Sequence, residues 1–306
     1  MAKGDRRITI LGVGALACLF GARLSAAGMD VTLMGSWPEG VAALREHGVR
    51  LVEADGSERA YPVRVVTSPA EVVARGRIAL VLVKAWQTER AARQLRDCLA
   101  PDGLAVTLQN GIGNLEALAG ALGRSRCAVG VTTLGANLLE PGRARAAGEG
   151  MVTLEEHPRS GKMVSLLATA GLEVATTLDV TALLWGKLVI NAAINPLTAL
   201  LRIPNGELLE RPTVRSLMAV TAQEAAAVAA AQEIALPYPD PVCAVEAVAQ
   251  RTAANRSSML QDVLRGAPTE VDAINGAVAR AGERSGVPTP VNRALWGLVK
   301  GLGGRG

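Results

Sequence analysis

One lysine and two asparagines stand four residues apart in a stretch that is otherwise almost entirely apolar. Lys187, Asn191 and Asn195 lie within residues 183–195, directly before Pro196. If this stretch is helical, steps of four residues advance each side chain by roughly 40° around the axis, so the ammonium and both carboxamides share one face. Burying such groups without partners costs roughly 1–3 kcal/mol each, and a charge costs more. Any one asparagine could serve a neighbouring loop, but the three together favour a site for a bound polar ligand.

A second candidate site is a turn of small residues near the N-terminus. It follows the β-branched segment Arg7–Leu11, opens an apolar helix, and consists of Gly12, Val13, Gly14, Ala15, Leu16 and Ala17. Gly12 permits a tight turn, Gly14 lets backbone amides approach a pyrophosphate, and Ala17 packs helix on strand. The helix N-terminus adds partial positive charge. The pattern predicts dinucleotide binding, the alternative being a glycine-rich turn without a ligand.

The end of the next strand bears on which dinucleotide is bound. An NAD enzyme usually carries Asp or Glu there to bind the ribose hydroxyls. Here the segment Asp30–Met34 is followed by Gly35, Ser36 and Trp37, with no acid until Glu39. The absence of a carboxylate leaves room for a 2′-phosphate and favours NADP over NAD. No arginine stands at this tip, so Ser36 is the nearest expected contact.

If the bound dinucleotide transfers a hydride to a ketone, the site also needs a proton donor. Hydride addition builds negative charge on the carbonyl oxygen, so a proton donor must stand within about 3 Å of it. The chain has two histidines, and both His47 and His157 lie in charged, solvated surroundings. Lys187 is the best available acid, because an apolar setting lowers the pKa of a lysine. Glu270 and the cofactor phosphates would favour the ammonium and so raise this pKa. The sequence alone does not decide which of the two effects is larger.

Strands alternate with helices in the first part of the chain and disappear after it. Strand-like segments cover residues 7–11, 30–34, 78–83, 104–108, 127–132 and 151–154, and a helix is expected over about 88–99. Such alternation predicts βαβ units and a mostly parallel sheet. Long Ala/Leu/Val segments then cover residues 181–194, 213–233, 241–264 and 270–285. We predict a Rossmann-type α/β domain over residues 1–178 and an all-α domain over residues 179–306.

Several polar residues have positions that suit a ligand but also have structural explanations. Lys84 and Asn110 follow buried strands at their carboxyl ends, where open α/β sheets bind ligands. Pro196 either kinks the helix, freeing a backbone carbonyl, or simply ends it. Ser258, with Ser257 before it, lies in a polar break that suits a cap or turn. Glu270 suits the first turn of a helix capped by the preceding threonine.

Composition limits the class of protein. The chain has 306 residues, which suits two domains, and its 49% hydrophobic and 20% charged residues are typical of a globular protein. Its formal net charge of +4 favours an anionic small molecule as the ligand. Aromatic residues make up 2% of the chain and no basic block occurs, so a nucleic-acid partner is not expected. The four cysteines are scattered, without metal-ligand spacing. With no signal segment or membrane span evident, we expect a cytoplasmic protein that binds no metal or membrane. The Ala-rich helices could support a homodimer.

In order along the chain, these motifs resemble the ketopantoate reductase (2-dehydropantoate 2-reductase) family. The matching segments are residues 12–17 (GVGALA), 83–87 (VKAWQ), 109–113 (QNGIG), 187–200 (KLVINAAINPLTAL), 204–208 (PNGEL), 257–262 (SSMLQD) and 269–276 (TEVDAING). The resemblance implies NADPH-dependent reduction of ketopantoate to pantoate, on the route to pantothenate and coenzyme A. It also implies an active site between a Rossmann domain and a helical domain.

The resemblance assigns roles to individual residues. It implies that Lys187 is the general acid, that three asparagines line the substrate site, and that Ser258 and Glu270 contact the substrate carboxylate and hydroxyl. The asparagines are Asn191, Asn195 and Asn205. It places Lys84 along the cofactor and Asn110 at the cleft floor, and we expect Asn110 and Glu270 to serve both ligands. Many family members have arginine where this chain has Ser36, so the departure concerns cofactor preference.

Two other functions suit the same residues. A related NAD(P)-dependent reductase of another branched 2-oxo acid would use the same lysine, asparagines, serine and glutamate. A non-catalytic NAD(P)-binding sensor on the same fold would bind the dinucleotide without turnover.

Overall fold

A computed structural model describes residues 6–72 and 75–302, which form two compact units. The first comprises residues 1–109 and 114–180, and the second comprises residues 110–113 and 181–306. The division therefore follows residue 180, where the sequence suggested residue 178. The four-residue segment Asn110–Gly113 belongs with the helical unit, although it follows a strand of the first.

The first unit contains twelve strands among its described residues. They are β1 (Arg7–Leu11), β2 (Asp30–Met34), β3 (Val49–Val52), β4 (Glu58–Tyr61), β5 (Arg64–Val66), β6 (Gly76–Val81), β7 (Leu99–Thr107), β8 (Cys127–Thr132), β9 (Ala136–Glu140), β10 (Arg143–Ala146), β11 (Met151–Glu155) and β12 (Glu173–Thr177). Its helices are α1 (Ala15–Ala26), α2 (Pro38–His47), α3 (Thr88–Cys98), α4 (Asn114–Leu122) and α5 (Gly161–Thr169).

Eight of these strands form the predicted, mostly parallel sheet. Their order is β12-β11-β8-β7-β6-β1-β2-β5, and only β8 and β11 pair in antiparallel fashion. Successive residues of the central strands enter two separate cores. Ile78 and Leu80 of β6 pack with α1, whereas Ala79 and Val81 pack with α3 and α4. Both faces of the sheet are therefore covered, which explains why its strands are continuous apolar runs.

A second sheet of four strands was not predicted. Its order is β4-β3-β10-β9. Strands such as Arg143–Ala146, with the sequence RARA, lack the β-branched residues that mark the larger sheet. Residues of this sheet, including Val49, Leu51 and Ala144, join the core around α1. Helix α1 is therefore buried against both sheets, which is why it is apolar apart from Arg23 and Ser25 in its last turn.

The second unit is helical, as predicted. Its helices are α6 (Val180–Leu201), α7 (Glu207–Glu210), α8 (Pro212–Ala231), α9 (Pro241–Arg251), α10 (Ser258–Leu264), α11 (Asn275–Ser285) and α12 (Pro290–Leu302), the first residue of α6 lying in the first unit. Within the described residues, α6 is the one helix whose length and mean hydropathy of 1.3 would allow it to cross a membrane. However, 61% of that window is buried, and α6 supplies much of the second unit's core.

Two predicted helices differ from the structure. The segment 241–264 is interrupted after Arg251, and α10 begins only at Ser258, because Ser257 caps it by accepting a hydrogen bond from the Leu260 amide at 3.1 Å. Helix α11 begins at Asn275, so Glu270 does not lie in the first turn of a helix. It opens a tight turn in which its carbonyl accepts hydrogen bonds from residues 273 and 274 at 3.0 and 3.1 Å.

Candidate active site

The turn between β1 and α1 has the backbone geometry of a dinucleotide-binding loop. Gly12 adopts φ +133°, and its amide donates to the Met34 carbonyl at 2.8 Å. A Cβ at this position would meet the Leu82 carbonyl oxygen at 3.0 Å. Glycine is therefore required both for the backbone angle and for the close approach of β6. The three strand ends β1, β2 and β6 meet here.

Gly14 supplies the open surface that a diphosphate needs. A Cβ at Gly14 would meet no atom within 4 Å, so the position is unobstructed. Gly14 is also the N-cap of α1, and among the residues that the structure describes no side chain accepts a hydrogen bond from the first amides of that helix. Val13 and Ala17 are buried and anchor the turn to the core, while Ala15 and Leu16 are partly exposed. The loop thus fits the diphosphate of a nicotinamide dinucleotide, which its free amides would bind.

Ser36 and Lys84 follow the ends of β2 and β6, the two strands that pair with β1 on either side. Lys84 is half-buried just beyond β6 and its carbonyl accepts from the Gln87 amide at 2.8 Å. Ser36 is exposed beyond β2, and its hydroxyl accepts a hydrogen bond from Arg90 Nη1 at 3.2 Å. The sequence did not indicate Arg90, because it lies 54 residues away on α3.

In the second unit, α6 carries Lys187, Asn191 and Asn195 at the predicted helical spacing. Lys187 and Asn191 are half-buried, whereas Asn195 is only 6% exposed. The Asn195 carboxamide makes no side-chain hydrogen bond with any residue that the structure describes. A buried amide without partners costs free energy, so this group is suited to hydrogen bonding with a ligand.

The Lys187 ammonium is desolvated and faces one carboxylate. Burial lowers its pKa from 10.5 to about 8, and attraction to Glu270 opposes that shift. Although part of the residue remains exposed, desolvation is the larger effect. At neutral pH the amine is mostly protonated, yet it releases its proton far more readily than a solvated lysine. This is the behaviour required of a general acid.

Glu270 is held in place by Asn110–Gly113, the segment after β7 that belongs to the second unit. Asn110 Nδ2 donates to Glu270 Oε2 at 3.4 Å, and the Ile112 amide donates to the Ala273 carbonyl at 3.3 Å. Gly111 sits so close to the turn that a Cβ would lie 2.3 Å from the Ala273 oxygen. Glu270 itself is 7% exposed. The turn that begins at Glu270 therefore brings this carboxylate toward both Asn110 and Lys187.

Asn205 and Ser258 flank the loop between α9 and α10. Asn205 Nδ2 donates to Thr252 Oγ1 at 2.9 Å, whereas its buried Oδ1 has no partner in the described structure. Ser257 is the cap of α10 and shares a hydrogen bond of 2.7 Å with Thr198 of α6. Ser258, the next residue, is half-buried, and no described residue hydrogen-bonds its hydroxyl. The loop is thus tied to the same helix that carries Lys187.

Pro196 does not end α6, which continues to Leu201 with Asn195 in helical conformation. The alternative of a helix stop is therefore wrong. Because proline lacks an N–H, the Ala192 carbonyl loses its usual donor. Asn275 Nδ2 replaces it, donating to the Ala192 oxygen at 2.9 Å. No local sequence pattern indicates this contact, since 83 residues separate the two partners.

Asn275 is in turn fixed by a buried polar network. Its Nδ2 also donates to Asn292 Oδ1 at 3.0 Å, and Asn292 Nδ2 donates to Glu224 Oε2 at 2.9 Å. Glu224 accepts from the Asn292 amide as well, at 2.9 Å. Asn275 and Asn292 are both fully buried. The network connects α6, α8, α11 and α12 at the level of Pro196.

The chain matches two profiles of one family along nearly its whole length. The profile described as "Ketopantoate reductase PanE/ApbA" matches residues 8–159, and its C-terminal counterpart matches residues 179–303. A 2-dehydropantoate 2-reductase from Halobacterium salinarum is 36% identical, covering 96% of this chain and 98% of that protein. Another from Archaeoglobus fulgidus is 37% identical, covering 97% and 98%.

Solved structures give the same result. A PanE/ApbA family ketopantoate reductase from Ralstonia eutropha JMP134 superposes with a TM-score of 0.90 at 32% identity, covering 97% of this chain and 98% of that one. D-mandelate dehydrogenase, solved with NADH and anilino(oxo)acetate, superposes with a TM-score of 0.91 at 28% identity and the same coverage. With both profiles matched and with relatives this similar over its length, the chain belongs to the ketopantoate reductase family.

Proposed function

We propose that this protein reduces the C2 ketone of 2-dehydropantoate to pantoate with NADPH, in the biosynthesis of pantothenate and coenzyme A. The observation that carries the proposal is the desolvated Lys187, with its pKa lowered to about 8, on one helix face with Asn191 and the unpartnered Asn195. Relatives named for this reaction, 36% and 37% identical over nearly their full length, support the choice of substrate.

The reaction requires a hydride and a proton. When bound, the reduced nicotinamide would supply the hydride, and the amides at the start of α1, from Gly14 to Ala17, would hold the diphosphate. Lys187 donates its proton to the carbonyl oxygen of the substrate as negative charge develops there. The neutral amine left in an apolar setting is stabilised by the same desolvation that lowers its pKa. Solvent then returns the proton to Lys187.

The remaining polar groups would orient the substrate. Asn195 can hydrogen-bond the carbonyl or the carboxylate, because no described residue hydrogen-bonds its carboxamide. Asn205 offers an acceptor, Oδ1, for the C4 hydroxyl. Glu270 carries a charge that would repel the substrate carboxylate, so we assign the hydroxyl end to Glu270 and the carboxylate to Ser258.

The first experiment is to follow NADPH and NADH oxidation with ketopantoate as acceptor. We expect turnover with NADPH to have the higher kcat/KM. Changing Lys187 to Met should reduce kcat by about 10²–10⁴-fold, the usual contribution of a positioned acid. Dinucleotide binding should stay within about twofold, since the phosphate loop lies in the other unit. Equal turnover in the variant would remove Lys187 from its role, and absence of turnover in the parent would leave a binding protein.

A second candidate is reduction of a different 2-oxo acid. The TM-score of 0.91 to D-mandelate dehydrogenase supports it, and the lysine and asparagines would bind any short 2-oxo acid. A panel of ketopantoate, 2-oxoisovalerate and phenylglyoxylate, compared by kcat/KM, separates the two. Ketopantoate should lead by at least about tenfold, and a larger value for phenylglyoxylate would favour the second candidate.

We also propose that the protein works in the cytoplasm. Its four cysteines are unpaired, and burial raises the pKa of Cys98 and Cys127 to about 11. Such thiols are unreactive and suit a reducing compartment. A homodimer remains our expectation, to be measured by light scattering.

A further inference from the structure

A cationic side chain stands at the tip of β2, although none follows that strand in the sequence. Ser36 lies two residues beyond the end of β2, and Arg90 lies in the first turn of α3. Their side chains meet with Arg90 Nη1 at 3.2 Å from Ser36 Oγ. Both residues are exposed and both belong to the first unit. The guanidinium is therefore placed at the strand tip by a different element of the fold.

The backbone fixes this tip beside the phosphate loop. The Gly12 amide donates to Met34, the last residue of β2, and the Gly35 amide donates to Val66 of β5 at 3.2 Å. Gly35 packs so tightly on Val13 that a Cβ would lie 2.6 Å from its methyl group. In a Rossmann fold the end of this strand contacts the adenosine ribose of the dinucleotide. Ser36 and Arg90 therefore flank the position of the ribose 2′ substituent.

The local charges favour an anion at this position. Arg90 forms no ion pair with a carboxylate among the described residues. The carboxylate next to it in sequence, Glu89, lies 3.9 Å from Arg93. The carboxylate on the adjoining loop, Glu71, accepts hydrogen bonds from residues 67 and 68 and pairs with Arg45 at 3.1 Å. The hydrogen bonds from Thr67 lower the pKa of Glu71, and the positive charge of Arg45 lowers it further. Arg45, not Arg90, therefore pairs with this carboxylate.

Glu39 is the one acid close in sequence to the tip. It lies exposed in the first turn of α2, three residues beyond Ser36. No side chain of Asp or Glu occupies the position from which an NAD enzyme binds both ribose hydroxyls, immediately after β2. The tip therefore has, in place of the usual carboxylate, a hydroxyl and a guanidinium that pairs with no carboxylate among the described residues.

We propose that Ser36 and Arg90 form the site that recognises the 2′-phosphate of NADPH. The inference rests on the proposed function in one respect only, namely that a nicotinamide dinucleotide binds the phosphate loop. Arg90 offers a planar set of N–H donors that can bind a phosphate through two parallel hydrogen bonds. The Ser36 hydroxyl adds one donor. Helix α3 thus supplies a positive charge that the residues following β2 do not provide.

The test uses two probes that lack both nicotinamide and keto acid. Calorimetry should show that 2′,5′-ADP binds at least about tenfold more tightly than 5′-AMP. Arg90→Met should weaken 2′,5′-ADP by about 10- to 100-fold, the range for a charged hydrogen-bonding partner, and leave 5′-AMP within about twofold. Arg93→Met is the matched control, because Arg93 is an exposed arginine one turn further along α3. It should change neither affinity appreciably.

A reciprocal variant examines the same site with the opposite charge. Ser36→Glu introduces the ribose-binding carboxylate, so it should weaken 2′,5′-ADP and strengthen NADH relative to NADPH by about tenfold or more. Equal affinity of the parent for 2′,5′-ADP and 5′-AMP would overturn the site, and so would equal losses in the Arg90 and Arg93 variants. Neither result depends on which keto acid is reduced. A negative ketopantoate assay with intact 2′,5′-ADP preference would instead reject the proposed reaction alone.

Discussion

The contact between Asn275 and the Ala192 carbonyl lets the helix that carries Lys187 continue through Pro196. Replacing Asn275 with leucine, which has nearly the same shape, removes the donor without opening a large cavity. Two acceptors then lose their partner, the Ala192 oxygen and Asn292 Oδ1, and both residues are fully buried. We therefore expect the variant to lose stability because of unsatisfied polar atoms.

The magnitude follows from those two atoms. An unpaired buried acceptor costs about 1–3 kcal/mol, so the two together cost about 2–6 kcal/mol. Against this, the substitution also removes Asn275 Oδ1, which is buried without a partner and already costs free energy. Subtracting about 1–2 kcal/mol for that relief leaves a net loss of about 0–5 kcal/mol in the free energy of unfolding, with a central value of about 2.5 kcal/mol.

A double-mutant cycle distinguishes this cause from ordinary packing. Alanine at position 196 restores the backbone N–H that proline lacks, so the helix itself can satisfy the Ala192 carbonyl. The cost of Asn275→Leu should therefore be smaller by about 1–3 kcal/mol in a Pro196→Ala background. Pro196→Ala alone should be at least as stable as the parent.

Urea unfolding of the four proteins, followed by far-UV circular dichroism, measures the cycle. Thr198→Val provides the control, because Thr198 Oγ1 donates to the carbonyls of Ile194 and Asn195, which do not depend on residue 196 for their donors. Its cost should be the same in both backgrounds. If the cost of Asn275→Leu were also the same in both, within about 0.5 kcal/mol, the carbonyl would not be the reason for Asn275.

Three further predictions concern the site itself. Ketone reduction should have a constant kcat/KM below pH of about 8 and decline above it, because the protonated Lys187 is lost as pH rises through its lowered pKa. Gly14→Ala should fold normally, since its Cβ meets no atom within 4 Å, but it should bind the dinucleotide weakly. Gly12→Ala should lose stability, because the residue has φ +133° and its Cβ would lie 3.0 Å from the Leu82 carbonyl oxygen. Asn195→Leu should raise the KM for the keto acid without lowering the melting temperature, because its amide has no protein partner to lose.

Each of these has an outcome that contradicts it. A pH profile that declines only near 10.5, the ordinary lysine value, would show that Lys187 is not desolvated in the working enzyme. Equal melting temperatures for the two glycine variants would contradict the close approach of Leu82. A large loss of stability in Asn195→Leu would mean that its amide serves the fold. Calorimetry with NADPH and steady-state kinetics supply the measurements.

The sequence predicted those features that depend on short-range patterns. The four-residue spacing of Lys187, Asn191 and Asn195 needs only one helix, and the loop from Gly12 to Ala17 needs only one strand and one helix. The larger sheet was also predictable, because its strands are apolar runs that are buried on both faces. Periodicity and local propensity carry this information directly.

Features that join distant parts of the chain were not predictable. Arg90 meets Ser36 across 54 residues, and Asn275 meets Ala192 across 83. No local pattern relates such partners, so their pairing appears only once the chain is folded. The four-stranded sheet was missed for a different reason, since strands such as Glu58–Tyr61 are exposed and polar. Glu270 was placed in a helix because Thr269 resembles a cap, whereas the structure uses both residues in a turn.

Asn195 and Asn275 show why the polarity of a buried residue does not by itself reveal a binding site. Both are buried asparagines, at 6% and 0% exposure, and both lie close to Pro196 in the fold. Asn275 donates to two protein acceptors and no solvent reaches it, so its replacement should lower the free energy of unfolding. Asn195 keeps some exposure and has no partner among the described residues, so its replacement should weaken substrate binding. A group that the fold leaves both unpaired and accessible is stabilised only when a ligand is bound, and that difference is what makes the face of α6 a site.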